Sequence, residues 1–551
     1  MVTFPPKGGG HAQIHPPVIG GLTLAHIGGG AAYGVYGRGP AGPRSDGTAV
    51  TPIGHEVTPA GHQTDLGNLP LNAALHPDGH HLLVTNNGQG VQSLQLVDTC
   101  TARVVQTLTY PSPESLYVGV AWSPDGTTAY ASAAANSKIR VLSFADGRLT
   151  EGAPILPTTT PEGAKVTLFP AGLAVSPGGG RLVVADQLGD AVTVADTATG
   201  DTRTVAAGHR PVWVTLSQDG RTAYVSDQGA DTLDVIDITG AAPVVTGQIT
   251  VGLHPNKSVL SADGRTLYVA NGDADSVSEV DLGAHRVTRT FPVAPRRDDL
   301  VGANPTGLAL DGAGRQLFVT NSGDNDVAVI NLARGRVQGV IPTAWYPSQV
   351  VWHGGRLLVT NAKGLGAGPN DGAGHPDPES TTPTAPDQYT GSMMTGTLST
   401  IDVPGAQELA RYTQEVRANN TPIRARGVIV PTRPGDRTPI KHVIYVVKEN
   451  RTYDQVLGSL GKGDGDARLN LFGNESAPNT RELARRFTTI DNGRNAPMAA
   501  VSAGQDLTKE DQINEQTFNE AIWKSVRGAD SVMPAPRHDL MGDTSALAGK
   551  D

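Results

Sequence analysis

Two adjacent residues, Glu449 and Asn450, are placed to do chemistry. They follow Ile440-Lys-His-Val-Ile-Tyr-Val-Val447, a short continuous apolar run of the kind that forms a parallel strand buried on both faces. In α/β sheets, ligands bind beyond the carboxyl ends of such strands. A carboxylate beside an amide oxygen is a hard, oxygen-rich pair suited to a divalent cation, although the same pair also serves as a helix cap or a solvated face. Other reactive types lack partners at useful spacing. His80 and His81 lie in a turn with no downstream ligand at zinc spacing. Asp464 and Asp466 lack the rest of a calcium loop, and Gly458 to Lys462 is too short between glycines for a phosphate-binding loop. Cys100 is the single cysteine, so it forms no internal disulfide.

The elements that would position these groups fall into two sets. From about Val50 to Val403 one pattern recurs: a strand, a tight turn ending in Gly, then an apolar strand that usually closes on Asn or Asp. The turn glycines are read as Gly79, Gly126, Gly180, Gly220, Gly264, Gly314 and Gly355, about 40 to about 54 residues apart, the period of a four-stranded propeller blade. Asp-Gly supplies the positive φ of a tight hairpin, and the β-branched and aromatic residues after it favour a doubly buried strand. Gly-x-x-Pro steps such as Gly208-His-Arg-Pro211 start the next unit. Seven copies predict seven blades, closed by pairing Val50–Val57 with Gly396–Val403. A Gly/Pro-rich insertion over Lys363–Thr395 reads as a long loop in the last blade. Beyond it, helical spacing covers Ala406–Val416, and a helix is expected after Asn479, with Asn479 and Glu482 as a capping pair and Leu483 and Phe487 on one face.

Composition agrees with this division. Gly is 68 and Pro 40 of 551 residues, as many short strands and turns require. A net charge of −10 without a Lys/Arg run argues against nucleic-acid binding. No stretch reads as a membrane span or as a signal peptide, because Val18–Tyr36 is broken by Gly20, Gly21, Gly28, Gly29 and Gly30.

The repeats resemble the bacterial YVTN propellers, Tyr268-Val269-Ala270-Asn271 most closely. The stretch from Ile440 through Glu449-Asn450-Arg451-Thr452-Tyr453-Asp454 to Asp491-Asn492 resembles the opening of the phosphoesterase family, which includes phospholipase C and acid phosphatase enzymes of the alkaline-phosphatase superfamily. That resemblance implies a metal held by Glu449 and Asn450, a phosphoester substrate and a periplasmic or extracellular setting. Val501-Ser502-Ala503-Gly504 resembles the family's stretch around a serine, which makes Ser502 the candidate nucleophile, and Glu515–Arg527 resembles the family's C-terminus. The middle of the family domain, with its Asp pair and His, has no counterpart. The fold expected is therefore mainly β: a seven-bladed YVTN-type propeller followed by an incomplete α/β phosphoesterase segment. Its parts are a disordered N-terminus (1–48), propeller (49–403), helix and linker (404–439), phosphoesterase opening (440–492) and a loop with C-terminal tail (493–551).

Two functions compete on this reading: a metal-dependent hydrolase of ester bonds, or a non-catalytic propeller that binds a small molecule, protein or surface on one face. A propeller lactonase or quinoprotein is a third class. It would need acidic metal ligands in the central channel, where Asp186, Asp227 and Asn271 end comparable strands.

Overall fold

Each repeat folds because its strands have different neighbours. In the first, Pro70–Leu75, His81–Asn86, Gln92–Asp98 and Arg103–Tyr110 form one antiparallel sheet. The second strand is the apolar one read from the repeat, and Leu82, Leu83 and Val84 are fully buried. Burial of side chains of this size stabilises by roughly 1.5–3 kcal/mol each. The fourth strand alternates exposed and half-buried positions, because its outer face meets water. The computed structural model describes residues 41–51, 54–157, 168–293, 302–367, 393–420, 441, 453–463, 465–487 and 489. They contain seven four-stranded antiparallel sheets, which makes the chain a β-propeller. The first strands of the blades stand side by side around a ring that closes between Trp345–His353 and Pro70–Leu75.

The turn glycines adopt the expected positive φ except in blade 3. In blade 4, Gly220 N–H donates to the Ser217 carbonyl at 2.9 Å, and Ser217 Oγ donates to Asp219 Oδ1 at 2.6 Å. In blade 3 the left-handed residue is Gly179, with φ +75°, and not Gly180 as expected. The i to i+3 bond decides this, since Gly179 N–H donates to the Ser176 carbonyl at 2.8 Å. Blade 7 uses a shorter turn, Gly354-Gly355 with φ +56° and +85°, between the paired residues His353 and Arg356. Positive φ at both central residues is the type I′ pattern.

Ring closure also differs from expectation. Thr397–Asp402 pairs with His62–Asp65, in register Thr397 to Asp65 and Thr400 to His62. Ser399 Oγ donates to Gln63 Oε1 at 2.8 Å. The segment expected to close the ring instead builds a small sheet, Gly42–Pro43 with Ala49–Val50 with Glu56–Val57, whose Ala49 and Val57 pack on Ala344. An outer strand faces water, so polar His-Gln-Thr-Asp suits it, whereas Ala49 and Val57 need cover.

Helix Ala406–Asn419, expected from its spacing, covers the outer strand of blade 6, Arg336–Pro342. Leu409, Thr413 and Val416 are buried, and Thr413 Oγ accepts the Val340 N–H at 3.0 Å. Gly339 lies under the helix, where a Cβ would fall 2.5 Å from Thr413 Oγ1. In the C-terminal segment, helix Pro478–Arg486 begins at Pro478 with Ala477 as its cap, so Asn479 lies within it and the expected capping pair does not form. Proline suits that first position because its missing N–H has no helical partner there. Leu483 and Phe487 are exposed, at 59% and 64%. Buried Arg481 ties the segment together through the Val456 carbonyl and the side chains of Ser459, Asn470 and Asn474. Lys462 donates to the carbonyls of Ala484 and Phe487 at the helix's negative end.

Candidate functional site

Glu449, Asn450 and Ser502 lie outside the described residues, as does the expected strand before Glu449. Asp186, Asp227 and Asn271 are fully buried within their blades. Thr193 Oγ donates to Asp186, Thr232 Oγ to Asp227, and Asn271 Nδ2 to the hydroxyls of Ser276 and Ser278. None of the three lines the large cavity described below. Burial pushes the Asp186 carboxyl up to about 7. Burial, reinforced by nearby Asp234, pushes Asp227 to about 8. These groups join strands within a blade.

The cavity lies where the first strands begin. Leu69, Phe169, Arg210, His254, Asn304 and Tyr346 each precede a proline and adopt φ between +49° and +63°. Left-handed backbone at non-glycine residues costs on the order of 1 kcal/mol each. The pairing of these strands slips at or just after the proline, as in a bulge. Three of these six side chains face one shared mouth. Leu69, Phe169 and Tyr346 line a cavity of about 580 Å³ there, together with Lys257 and Lys363.

The next level of the ring reaches the cavity through Lys257. Its positions are Asn72, Gly119, Gly172, Trp213, Lys257, Gly307 and Gln349, the third residue of each first strand counted from its proline or the equivalent. The glycines leave room for larger neighbours: a Cβ on Gly172 would meet the Trp213 ring at 2.9 Å, and one on Gly307 would meet Gln349 Oε1 at 2.6 Å. Lys257 spans the ring. Its Nζ donates to the carbonyls of Leu71 and Ser348, both at 2.9 Å, and lies 3.3 Å from Asn72 Oδ1 and from Gln349 Oε1. The same ammonium lies 5.4 Å from the centre of the Trp213 ring. Lys363 Nζ sits 4.7 Å and 5.1 Å from the ring centres of Trp345 and Tyr346.

Both lysines are almost wholly buried, at 4% and 2% exposure. Burial pushes each down to about 7. On one wall, Glu114 is held below the usual carboxylate range by hydrogen bonds from Lys138 and Arg140. The cavity therefore joins aromatic walls, amide and hydroxyl groups, and two amines that change charge near neutrality. Such a site can hold an anion on its ammonium groups while an apolar part of the same ligand packs on the rings.

Lys363 stands at the start of the insertion whose composition predicts a loop, but it belongs to the strand Arg356–Gly364. Lys257 lies within a repeat and carries no motif of its own. Aligning the first strands by their prolines would have exposed it: where other blades carry Gly, Asn, Gln or Trp, blade 5 carries Lys.

The family comparison supports the propeller. A family model described as "Lactonase, 7-bladed beta-propeller" matches residues 196–290, which run from the outer strand of blade 3 through blade 4 and most of blade 5. Among solved structures, the chain is similar to one titled Kuenenia stuttgartiensis hydrazine synthase, at 22% identity and a TM-score of 0.46, over 54% of this chain and 94% of that one. A search of curated proteins gave no match.

Proposed function

We propose that the propeller is a binding module for a small anionic molecule, a carboxylate or phosphate carrying an apolar part, held in the cavity at the channel mouth. The observation that carries this reading is two buried lysines, Lys257 and Lys363, lining one cavity with Tyr346. An amine at about 7 is partly neutral when the site is empty. A bound anion favours its charged form, so binding takes up protons and strengthens as pH falls toward 6. The test is thermal unfolding of the full chain with citrate and with inorganic phosphate, at about pH 6 and about pH 8.5. Both anions at saturation should raise Tm at the lower pH, a hundredfold excess over Kd being worth about 2.7 kcal/mol. The rise should shrink at the higher pH and vanish in Lys363→Met. An equal rise in wild type and variant, or none in either, overturns the reading.

The second reading is ester hydrolysis. The family matched by residues 196–290 is named for lactonases, and the Glu449-Asn450 stretch resembles phosphoesterases. Under it, Glu449 and Asn450 hold a divalent metal and Ser502 is the nucleophile. It has less support, because the family match covers only residues 196–290 and Glu449, Asn450 and Ser502 lie outside the described residues.

A further inference from the structure

The turn of blade 1 departs from the repeat at two positions. Blades 2, 4 and 5 carry Ser-x-Asp-x-x-Thr here: Ser123, Asp125 and Thr128; Ser217, Asp219 and Thr222; Ser261, Asp263 and Thr266. In each, the serine hydroxyl donates to the aspartate, at 2.6 Å. Blade 1 keeps the aspartate, Asp78, and replaces the hydroxyl residues with His76 and His81.

The substitution creates a three-ligand cluster. His76 Nδ1 lies 2.9 Å from Asp78 Oδ1, and His81 Nδ1 lies 2.8 Å from Asp78 Oδ2. One ligand atom from each of the three residues lies within 4.8 Å of the others. Tetrahedral ligands at about 2.0–2.1 Å from zinc are themselves a little over 3 Å apart, so small side-chain movements close this set around one ion.

The hydrogen bonds of His76 point the same way. Its Nε2 faces the Gly126 carbonyl at 2.9 Å, and a carbonyl only accepts, so Nε2 carries the proton. The Asp78 backbone N–H donates to Nδ1 at 3.0 Å, so Nδ1 is the unprotonated nitrogen, and a metal would take over its one lone pair from that N–H. That acceptor faces a carboxylate oxygen, an arrangement that lacks a positive centre between the two. A ligand histidine whose other nitrogen donates to a backbone carbonyl is the usual outer support of a metal site. The ring is also held from behind, edge-on to Trp122 at 4.6 Å. We infer that His76, Asp78 and His81 form a site for a borderline divalent cation of the zinc type, with its remaining coordination open to solvent. Imidazole nitrogens with one carboxylate suit such ions better than calcium or magnesium. The site follows Leu75 at the far end of the strand whose start borders the anion cavity, about 20 Å away for six residues. It is therefore independent of that cavity.

Metal would join neighbouring blades, since His76 reaches Gly126 of blade 2 and a Cβ on Gly79 would meet the His353 ring of blade 7 at 2.8 Å. The experiment is calorimetric titration of the metal-stripped full chain with Zn²⁺, in wild type, in His76→Ser/His81→Thr and in Cys100→Ser. The double substitution installs the residues used by blades 2, 4 and 5, so it should keep the fold, which its thermal unfolding checks. One Zn²⁺ per chain should bind to wild type and to Cys100→Ser. The double variant should bind more than about 100-fold more weakly, since loss of even an outer-shell partner costs roughly 10–100-fold. No stoichiometric uptake by wild type, equal uptake by the folded double variant, or loss in Cys100→Ser overturns the inference. If the double variant fails to fold, His81→Ala takes its place with the same expectation.

Discussion

At the residue scale, the fold uses carboxylic acids where it could use amides. Asp186 and Asp227 end their strands where Asn86, Asn271 and Asn321 end theirs, Asn361 holds the same place within the longer strand of blade 7, and all six are fully buried. Burial holds Asp186 protonated up to about pH 7. The unfolded chain releases that proton near pH 4, so between about 4 and 7 the folded state binds more protons and loses stability as pH rises. Asp186→Asn installs the amide used by the other blades and removes this slope. It should leave stability little changed near pH 4 and raise it by on the order of 1–3 kcal/mol at pH 7 and above. Urea denaturation of both proteins at the two pH values checks this, and a constant difference across the range contradicts it. Lys257 and Lys363 behave in the opposite sense. Burial favours their neutral form, so their cost is full below pH 7 and fades as pH rises toward 10. None of this was legible from composition, which shows an acidic chain and conceals the two amines folded into its channel.

At the element scale, legibility followed burial. The second strand of each blade is apolar throughout and could be read directly, as at Leu267-Tyr268-Val269-Ala270-Asn271. The outer strands face water and carry no such mark, which is why His62–Asp65 was missed as the closing strand and Val50–Val57 chosen instead. The channel residues were hidden differently. Their identities vary from blade to blade while their position does not, so only alignment of one repeat against another reveals Lys257. Closure itself rests on a close backbone approach. Gly61 has φ +72°, and a Cβ there would fall 2.2 Å from the Thr400 carbonyl oxygen. Gly61→Ala should therefore cost at least about 2 kcal/mol by pushing the closing strand away, more than the roughly 1 kcal/mol of an ordinary glycine substitution. Hydrogen exchange should show the loss at residues 62–65 and 397–402. Gly180→Ala is the control: nothing lies within 4 Å of its Cβ, and stability should change by less than about 0.5 kcal/mol. Equal effects from the two substitutions would refute this account of closure.

At the scale of the whole molecule, the propeller is a closed ring and the segment after it is a small unit pinned by Arg481. Leu483, on the helix Pro478–Arg486, and Phe487, at its cap, are exposed among the described residues. Phosphoester hydrolysis requires a metal held by several ligands and a nucleophile set against it, and loose placement alone costs about a hundredfold in rate. Purified chain should accordingly give no hydrolysis of an aryl phosphate mono- or diester above background with Mn²⁺, Ca²⁺, Mg²⁺ or Zn²⁺. Metal-dependent turnover that disappears in Glu449→Ala would instead establish the hydrolase reading. The pairing of His62–Asp65 with Thr397–Asp402 has a further consequence, for synthesis. Gln63 and Ser399 are 336 residues apart. At roughly 5–20 residues per second, a ribosome needs tens of seconds to make the second after the first. Throughout that interval blades 1 to 6 can form in turn, yet the first strand of the ring waits as an unpaired edge. Its polar sequence, His-Gln-Thr-Asp, is what a nascent chain can leave exposed that long without inviting a neighbour on the same message to pair with it.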